Sequence, residues 1–239
     1  MRELARNGLG GGSVGDRVLV VAATERADGD LRPDGPDASA LHARQVALTG
    51  VPWTMVDEVH GTAVIAVDDD APWVPMAGVG DVVVVTAPTR PVAVWTADCA
   101  PLILGDRSGA LVAGVHAGWK GLAAGVIDAA VAAFHRSGTA VAHAVLGPTI
   151  RGCCYEFGAA DLAAVASGVG CTTAELTATT AAGTRGLDMA HAVGAALARH
   201  GIAVDTDVPC TGCDPRWFSH RTRADAGRHA TVAWIEPNA

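Results

Sequence analysis

Apolar residues in this chain come in short Val-rich runs closed by Gly, Pro, Asp or His, the pattern of strands buried within a sheet. Such runs predict strands at 17–24 (RVLVVAAT), 53–59 (WTMVDEV), 62–67 (TAVIAV), 81–87 (DVVVVTA), 91–97 (PVAVWTA), 101–104 (PLIL), 110–117 (ALVAGVHA), 142–148 (AHAVLGP) and 229–235 (HATVAWI), with one more short strand before Cys210. Between them, longer Ala-rich stretches predict helices. The first covers 38–50, capped by Asp37 and ended by Gly50; others cover 122–138, 158–168 and 188–201, the last with Asp188 at its start and Gly201 at its end. Strands and helices do not alternate strictly, so an α+β domain with mixed β-sheets flanked by helices is expected. Residues 1–16, Gly-rich toward their end, read as a flexible lead, and 17–239 as a single domain without internal repeats.

Composition changes this picture little. Half of the 239 residues are hydrophobic and 18% are charged, a globular balance with enough chain for a substantial core. The formal charge is -8, and Lys and Arg form no dense cluster, which argues against nucleic acid as a partner. The most basic stretch, RWFSHRTRADAGR, holds Arg216, Arg221, Arg223 and Arg228 and fits a small anion better than a polymer. No apolar run is long enough to span a membrane and the N-terminus has no apolar signal core, so a cytoplasmic protein with reduced cysteines is expected. Its six cysteines are then candidate ligands, nucleophiles or packed thiols. Cys210 and Cys213 have the C-x-x-C spacing of redox or zinc sites, but without a partner pair in the sequence that spacing is a weak signal.

Three polar residues share one setting. His60 in DEVHGT, Cys99 in TADCAP and His116 in VHAGWKG each close an apolar run beside turn-forming residues. Two imidazoles and a thiolate form a ligand set suited to zinc, with a fourth position left for water. The same residues also fit a Cys99 nucleophile activated by His116, or two buried structural side chains. Their spacing does not choose among these readings.

A resemblance does. VHG, TADCAPLIL, VHAGWKG, LGPTIRGCCYEFG and FSHR occur in the order found in the laccase-domain, or polyphenol-oxidase, family, over about residues 53–235. Members of that family are described as zinc-dependent purine nucleoside phosphorylases, some of which also deaminate adenosine. The resemblance implies a single α+β domain and metal ligands at His60, Cys99 and His116. It also implies phosphorolysis of adenosine, inosine or guanosine to a base and ribose 1-phosphate, with zinc as the metal and copper an alternative that such a donor set accepts. Lys120 and the start of the helix after Gly121 become candidate phosphate contacts, as do Arg221, Arg26 and Arg44; Glu156 and Tyr155 become candidate substrate contacts, and Asp98 a hydrogen-bond acceptor orienting a ligand. Cys153 and Cys154 are expected as packed thiols near the site. The chain departs from the family pattern in a shortened N-terminal loop, at Thr149 in place of a Cys, and at Arg151 in place of a Gly, an added arginine expected to narrow the site or alter substrate choice.

Two other functions compete. One is a Cys-dependent amide hydrolase, including editing of peptidoglycan precursors; the other is a non-catalytic metal- or nucleotide-binding protein. A true multi-copper oxidase would need many histidines, often in His-x-His pairs, and the nine here contain none.

Overall fold

The computed structural model describes residues 1–9, 17–33, 40–68, 72–86 and 88–237. Two sheets stack face to face, with helices on the outside. The first sheet runs β1 (Arg2–Leu9), β2 (Arg17–Ala23), β11 (His229–Pro237) and β5 (Val92–Thr96), all antiparallel. The second runs β3 (Val64–Asp68), β4 (Val82–Thr86), β7 (Leu111–Ala117), β6 (Ala100–Asp106) and β8 (Val141–Leu146), with β3 and β4 parallel and the other pairs antiparallel. This is the expected α+β fold with mixed sheets.

The period-2 geometry of a strand explains why the central runs read as unbroken apolar blocks. In β4, Val83 and Val85 face the first sheet and pack with Leu19, Val21, Val94 and Ile103, while Val82 and Val84 face the helices. Both faces are buried, so polar alternation disappears. At about 1.5–3 kcal/mol for each large apolar side chain removed from water, these paired faces dominate the stability of the domain.

Helices α2 (Trp119–Ala124), α3 (Val126–Arg136), α4 (Ala159–Val169) and α6 (Met189–Ala198) cover the outer face of the second sheet. The first sheet is covered by Leu31, Trp53, Met55 and Leu41 of α1 (Leu41–Thr49). A two-stranded ribbon of β9 (Thr177–Thr179) and β10 (Arg185–Leu187) follows the four-residue α5 (Thr173–Leu176), and the short α7 (His220–Arg223) precedes β11.

Four expectations need correction. Arg2–Leu9 is not a lead but an edge strand, in register with β2 from Arg2 opposite Ala23 to Leu9 opposite Arg17. Its charged residues hid it: Arg6 pairs with Glu236 at 2.6 Å while Leu4, Ala5 and Leu9 pack on the intersheet core, and charge on an edge discourages further pairing. Residues 53–59 make only isolated bridges, Thr54 with Val92 and Asp57 with Val79, because their backbone bonds divide between two partners, Thr54 with Pro91 and Ala93 and Asp57 with Gly78 and Gly80, while the Trp53 N–H donates to Gln45 Oε1 at 3.0 Å. The segment before Cys210 is likewise no strand and bridges only to Thr149. The helix foreseen at 122–138 starts earlier, at Trp119, and breaks at Gly125, whose φ of 89° ends α2 and opens α3. Asp37, the foreseen cap of α1, lies outside the described residues; Gly50 ends that helix in the left-handed conformation as expected.

Candidate metal centre and its cavity

Strand register builds the site. In the β6–β7 pair, Pro101 lies opposite His116 and Ala100 opposite Ala117, so Cys99, just before β6, comes beside the end of β7. On the other side of β7 the His116 N–H donates to the Asp81 carbonyl at 2.8 Å. Asp81, fully buried, then links the third member: its Oδ1 accepts from the His60 N–H at 2.8 Å and its Oδ2 from the Gly61 N–H at 2.6 Å. His60 is held there at φ 63°, in the left-handed region that non-glycine residues seldom occupy without local compensation.

The ligand atoms of His60, Cys99 and His116 all lie within 4.8 Å of one another, a group able to hold a metal ion. Cys99 Sγ is 3.6 Å from His60 Nε2, and the two imidazole rings meet edge to face at 4.8 Å. Gly118 is part of the construction, since a Cβ there would come within 2.6 Å of His60 Cδ2 and 3.3 Å of Cys99 Sγ.

Two buried carboxylates that sequence reasoning missed complete the arrangement. His116 Nδ1 is 2.8 Å from Asp81 Oδ1, so this nitrogen carries the proton and Nε2 remains as the ligand atom. Glu58 Oε2 lies 3.6 Å from His116 Nε2, with a side chain only 4% exposed, and Glu58 Oε1 accepts the Trp95 N–H at 3.1 Å. Electrostatics follow from this crowding. Burial pushes the Glu58 carboxyl up to about 8 against the opposing pull of His116. Burial would raise the Cys99 thiol, but His116 and His60 bring it down to about 6. Burial likewise opposes charge on His116, yet Glu58, Cys99 and Asp81 hold it well above the usual imidazole value. The site therefore favours a thiolate, the form in which cysteine binds metal.

The group opens into a cavity of about 460 Å³, within the ~300–1,000 Å³ common for small-molecule sites. Trp95, Trp119 and Tyr155 supply aromatic walls, and Lys120, His220, Arg221 and Arg228 supply cationic or ionisable groups. Arg221 lies with its guanidinium 4.6 Å from the centre of the Tyr155 ring and donates to the Glu156 carbonyl at 3.2 Å. Arg228, a member of the basic stretch read as suited to a small anion, enters through the turn before β11.

Other expected contacts lie elsewhere. Arg26 donates to the Pro215 and Trp217 carbonyls, forms an ion pair with Asp225 at 2.5 Å and covers the Phe218 ring, away from the cavity. Arg44, on α1, donates to the Asp30 carbonyl at 3.0 Å and does not line the cavity either. Glu156 borders a neighbouring depression with Phe157 and Arg185, which shares Arg221 with the cavity. The Asp98 carboxylate, at φ 98°, accepts from Thr211 Oγ1 and from the Arg221 N–H, both at 2.6 Å, and so seats α7 at the cavity. Arg151 does not narrow the site, because its guanidinium is tied to Asp188 at 2.9 Å and to the Val208 carbonyl. Thr149 is buried and donates to the Asp98 carbonyl at 2.7 Å. Gly121 lies inside α2, so the helix N-terminus expected directly after it is not there; α2 starts at Trp119 and α3 at Val126.

Known proteins share this frame. A purine nucleoside phosphorylase of Mycobacterium tuberculosis is 36% identical over 215 residues, covering 87% of this chain and 84% of that protein. One of Streptomyces coelicolor is 34% identical over 233 residues, covering 95% and 87%. Among solved structures, YlmD of Geobacillus stearothermophilus matches with a TM-score of 0.75 at 22% identity over 96% of each chain. A Neisseria meningitidis DUF152 protein matches with 0.71 at 22% identity, over 97% of this chain and 99% of that one. At such identities the structural matches speak for the fold alone. The family profile described as multi-copper polyphenol oxidoreductase laccase matches residues 28–236, a span that includes His60, Cys99 and His116, and the chain belongs to that family.

Proposed function

We propose that the protein is a zinc-dependent purine nucleoside phosphorylase that converts adenosine, inosine or guanosine with phosphate into a free base and ribose 1-phosphate, and that it also deaminates adenosine. The observation that carries this reading is the convergence of His60, Cys99 and His116 on one wall of a cavity with aromatic and cationic linings. The names of the similar proteins from Mycobacterium tuberculosis and Streptomyces coelicolor support it.

The donor set fits zinc, which a Cys99 thiolate and two imidazoles would hold; the carboxylate behind His116 fixes its Nδ1, and its Nε2 would give up its proton on binding metal. When bound, the metal supplies a Lewis acid with an open coordination position. The remaining work falls to the chain. Trp95, Trp119 and Tyr155 offer flat surfaces for a purine, and burial keeps the Tyr155 phenol protonated, its pKa raised to about 12. Lys120 and Arg221, both lining the cavity, would supply the counter-charge that a phosphate dianion needs. In phosphorolysis a phosphate oxygen bonds to the anomeric carbon as the bond from that carbon to the purine nitrogen breaks, and the departing base takes up a proton. Glu58 is the buried carboxyl placed to hold that proton, and in deamination to move one from water toward the leaving ammonia. Such a thiolate site needs a reduced Cys99, which fits a protein of the reducing cytoplasm. No helix among the described residues is long and apolar enough to cross a membrane.

A second reading has its own observation, the 3.6 Å approach of His60 Nε2 to Cys99 Sγ, which also suits a thiolate nucleophile in an amide hydrolase. Metal depletion separates the two. Under the phosphorylase reading, chelation removes nucleoside turnover and zinc restores it, with copper added in parallel to identify the working metal. Nucleoside turnover that survives complete metal removal contradicts the metal-dependent reading.

A further inference from the structure

A second group of cysteines converges outside the cavity. Cys153 and Cys154 are neighbours in the turn after β8, and Cys210 and Cys213 bracket the C-x-x-C turn before α7. Each pair is the partner that the other lacks in the linear sequence. The four Sγ atoms lie within 4.8 Å of one another, and all four cysteines are free thiols. Cys213 Sγ is 3.4 Å from Cys153 Sγ and 3.3 Å from Cys154 Sγ; Cys153 Sγ is 3.6 Å from Cys210 Sγ and 3.8 Å from Cys154 Sγ. A tetrahedral zinc with Zn–S bonds of about 2.3 Å sets its sulfurs about 3.8 Å apart along each edge. The cluster has nearly that size and the right number of donors.

The backbone around it is built for close approach. The two turns are joined by a short parallel bridge between Thr149 and Cys210, and the Arg151 N–H points at Cys210 Sγ at 3.3 Å. Gly212 has no room for a side chain, since a Cβ would lie 2.9 Å from Cys154 Sγ and 2.7 Å from its Cβ. The guanidinium of Arg223 donates to the Thr211 and Gly212 carbonyls at 2.9 and 3.1 Å, which places a fixed positive charge against the C-x-x-C turn. The same guanidinium pairs with Asp225 at 3.1 Å, which locks it against the turn.

We propose that Cys153, Cys154, Cys210 and Cys213 bind a second zinc ion as a structural tetrathiolate, distinct from the His60–Cys99–His116 centre. Binding forms four S–Zn bonds and releases the thiol protons to solvent, with no change in oxidation state. The residues next to the cluster explain its use. Tyr155 follows Cys154 directly, and His220 and Arg221 follow the C-x-x-C turn, so one ion fastens together two loops that wall the cavity. All four positions are closed by protein, the mark of a structural rather than a catalytic site.

The test is the zinc content of the full chain purified under reducing conditions, together with zinc-edge X-ray absorption of Cys99→Ala. The expected result is two zinc ions per chain in the wild type and one in Cys99→Ala, whose absorption shows four sulfurs at about 2.3 Å. Cys213→Ser should lower the wild-type content by one ion. Zinc-free Cys99→Ala protein overturns the proposal, as does zinc held there mainly by nitrogen and oxygen, or recovery of the four thiols as disulfides. Because Cys99→Ala leaves the cluster intact, the outcome does not depend on the folding of a cluster variant or on nucleoside turnover.

Discussion

Asp81 Oδ1 lies 2.8 Å from His116 Nδ1 and also accepts the His60 N–H, so one buried carboxylate sets both histidines of the metal-binding group. It fixes the tautomer of one imidazole and the backbone of the other. An Asp81→Asn variant keeps the shape but puts an amide where three donors need an acceptor. We expect metal affinity to fall 10–100-fold, the cost usual for losing the hydrogen-bond partner of a metal-bound histidine. Competition with a chromogenic chelator measures it; unchanged affinity would show that Asp81 only packs.

Glu58 separates chemistry from metal binding. It faces the cavity and His116 but is not one of the three clustered ligands. Glu58→Gln should retain its metal while kcat for nucleoside turnover drops about 10²–10⁴-fold, the range for loss of a general acid or base. Loss of the metal together with activity would place Glu58 among the ligands instead.

Arg221 is held by Asp98 through its own N–H and lies over Tyr155. If it binds the phosphate dianion, Arg221→Ala should raise KM for phosphate at least tenfold and change nucleoside KM much less, because about 1.4 kcal/mol of lost binding is a factor of ten. Steady-state kinetics with each substrate varied in turn decides this. An equal rise in both would mean that the variant collapses the Tyr155 wall.

His229 gives a stability prediction independent of activity. Its ring is fully buried, and neither nitrogen has a hydrogen-bond partner among the described residues. Burial holds its pKa down to about 3, against 6.5 for a free imidazole. Between these values the unfolded chain takes up a proton that the native one refuses. The stability due to neutral His229 is therefore complete above pH 6.5 and is lost as pH falls toward 3, by about 1.4 kcal/mol per pH unit. Urea unfolding at pH 7 and 5.5 should show the wild type losing roughly 1 kcal/mol more than His229→Leu. Equal losses would mean that the ring protonates freely in the folded state.

Much of the sequence reading rested on strand ends, and there it served well. His60, Cys99 and His116 stood out because each interrupts an apolar run, and the register of β6 and β7 brings the latter two together. Asp81 and Glu58 were hidden for the opposite reason. A carboxylate beside a turn looks solvated in one dimension, and only the folded chain shows Asp81 fully buried and Glu58 nearly so, at the cavity wall. The arginines misled in the same way. Arg26, Arg44 and Arg151 are engaged by Asp225, the Asp30 carbonyl and Asp188, partners 199, 14 and 37 residues away that no local pattern reveals. The four-cysteine cluster was half legible, since the C-x-x-C turn was visible but its partners lay far upstream, Cys153 57 residues before Cys210.

The most direct test of the central claim is product analysis of zinc-loaded protein incubated with inosine or adenosine, with and without phosphate, beside Cys99→Ala. Hypoxanthine or adenine released together with ribose 1-phosphate, only when phosphate is present and not by the variant, is the predicted result. Base release that ignores phosphate, or persists undiminished in Cys99→Ala, would contradict it, as would no turnover of either nucleoside by protein shown to contain its metal.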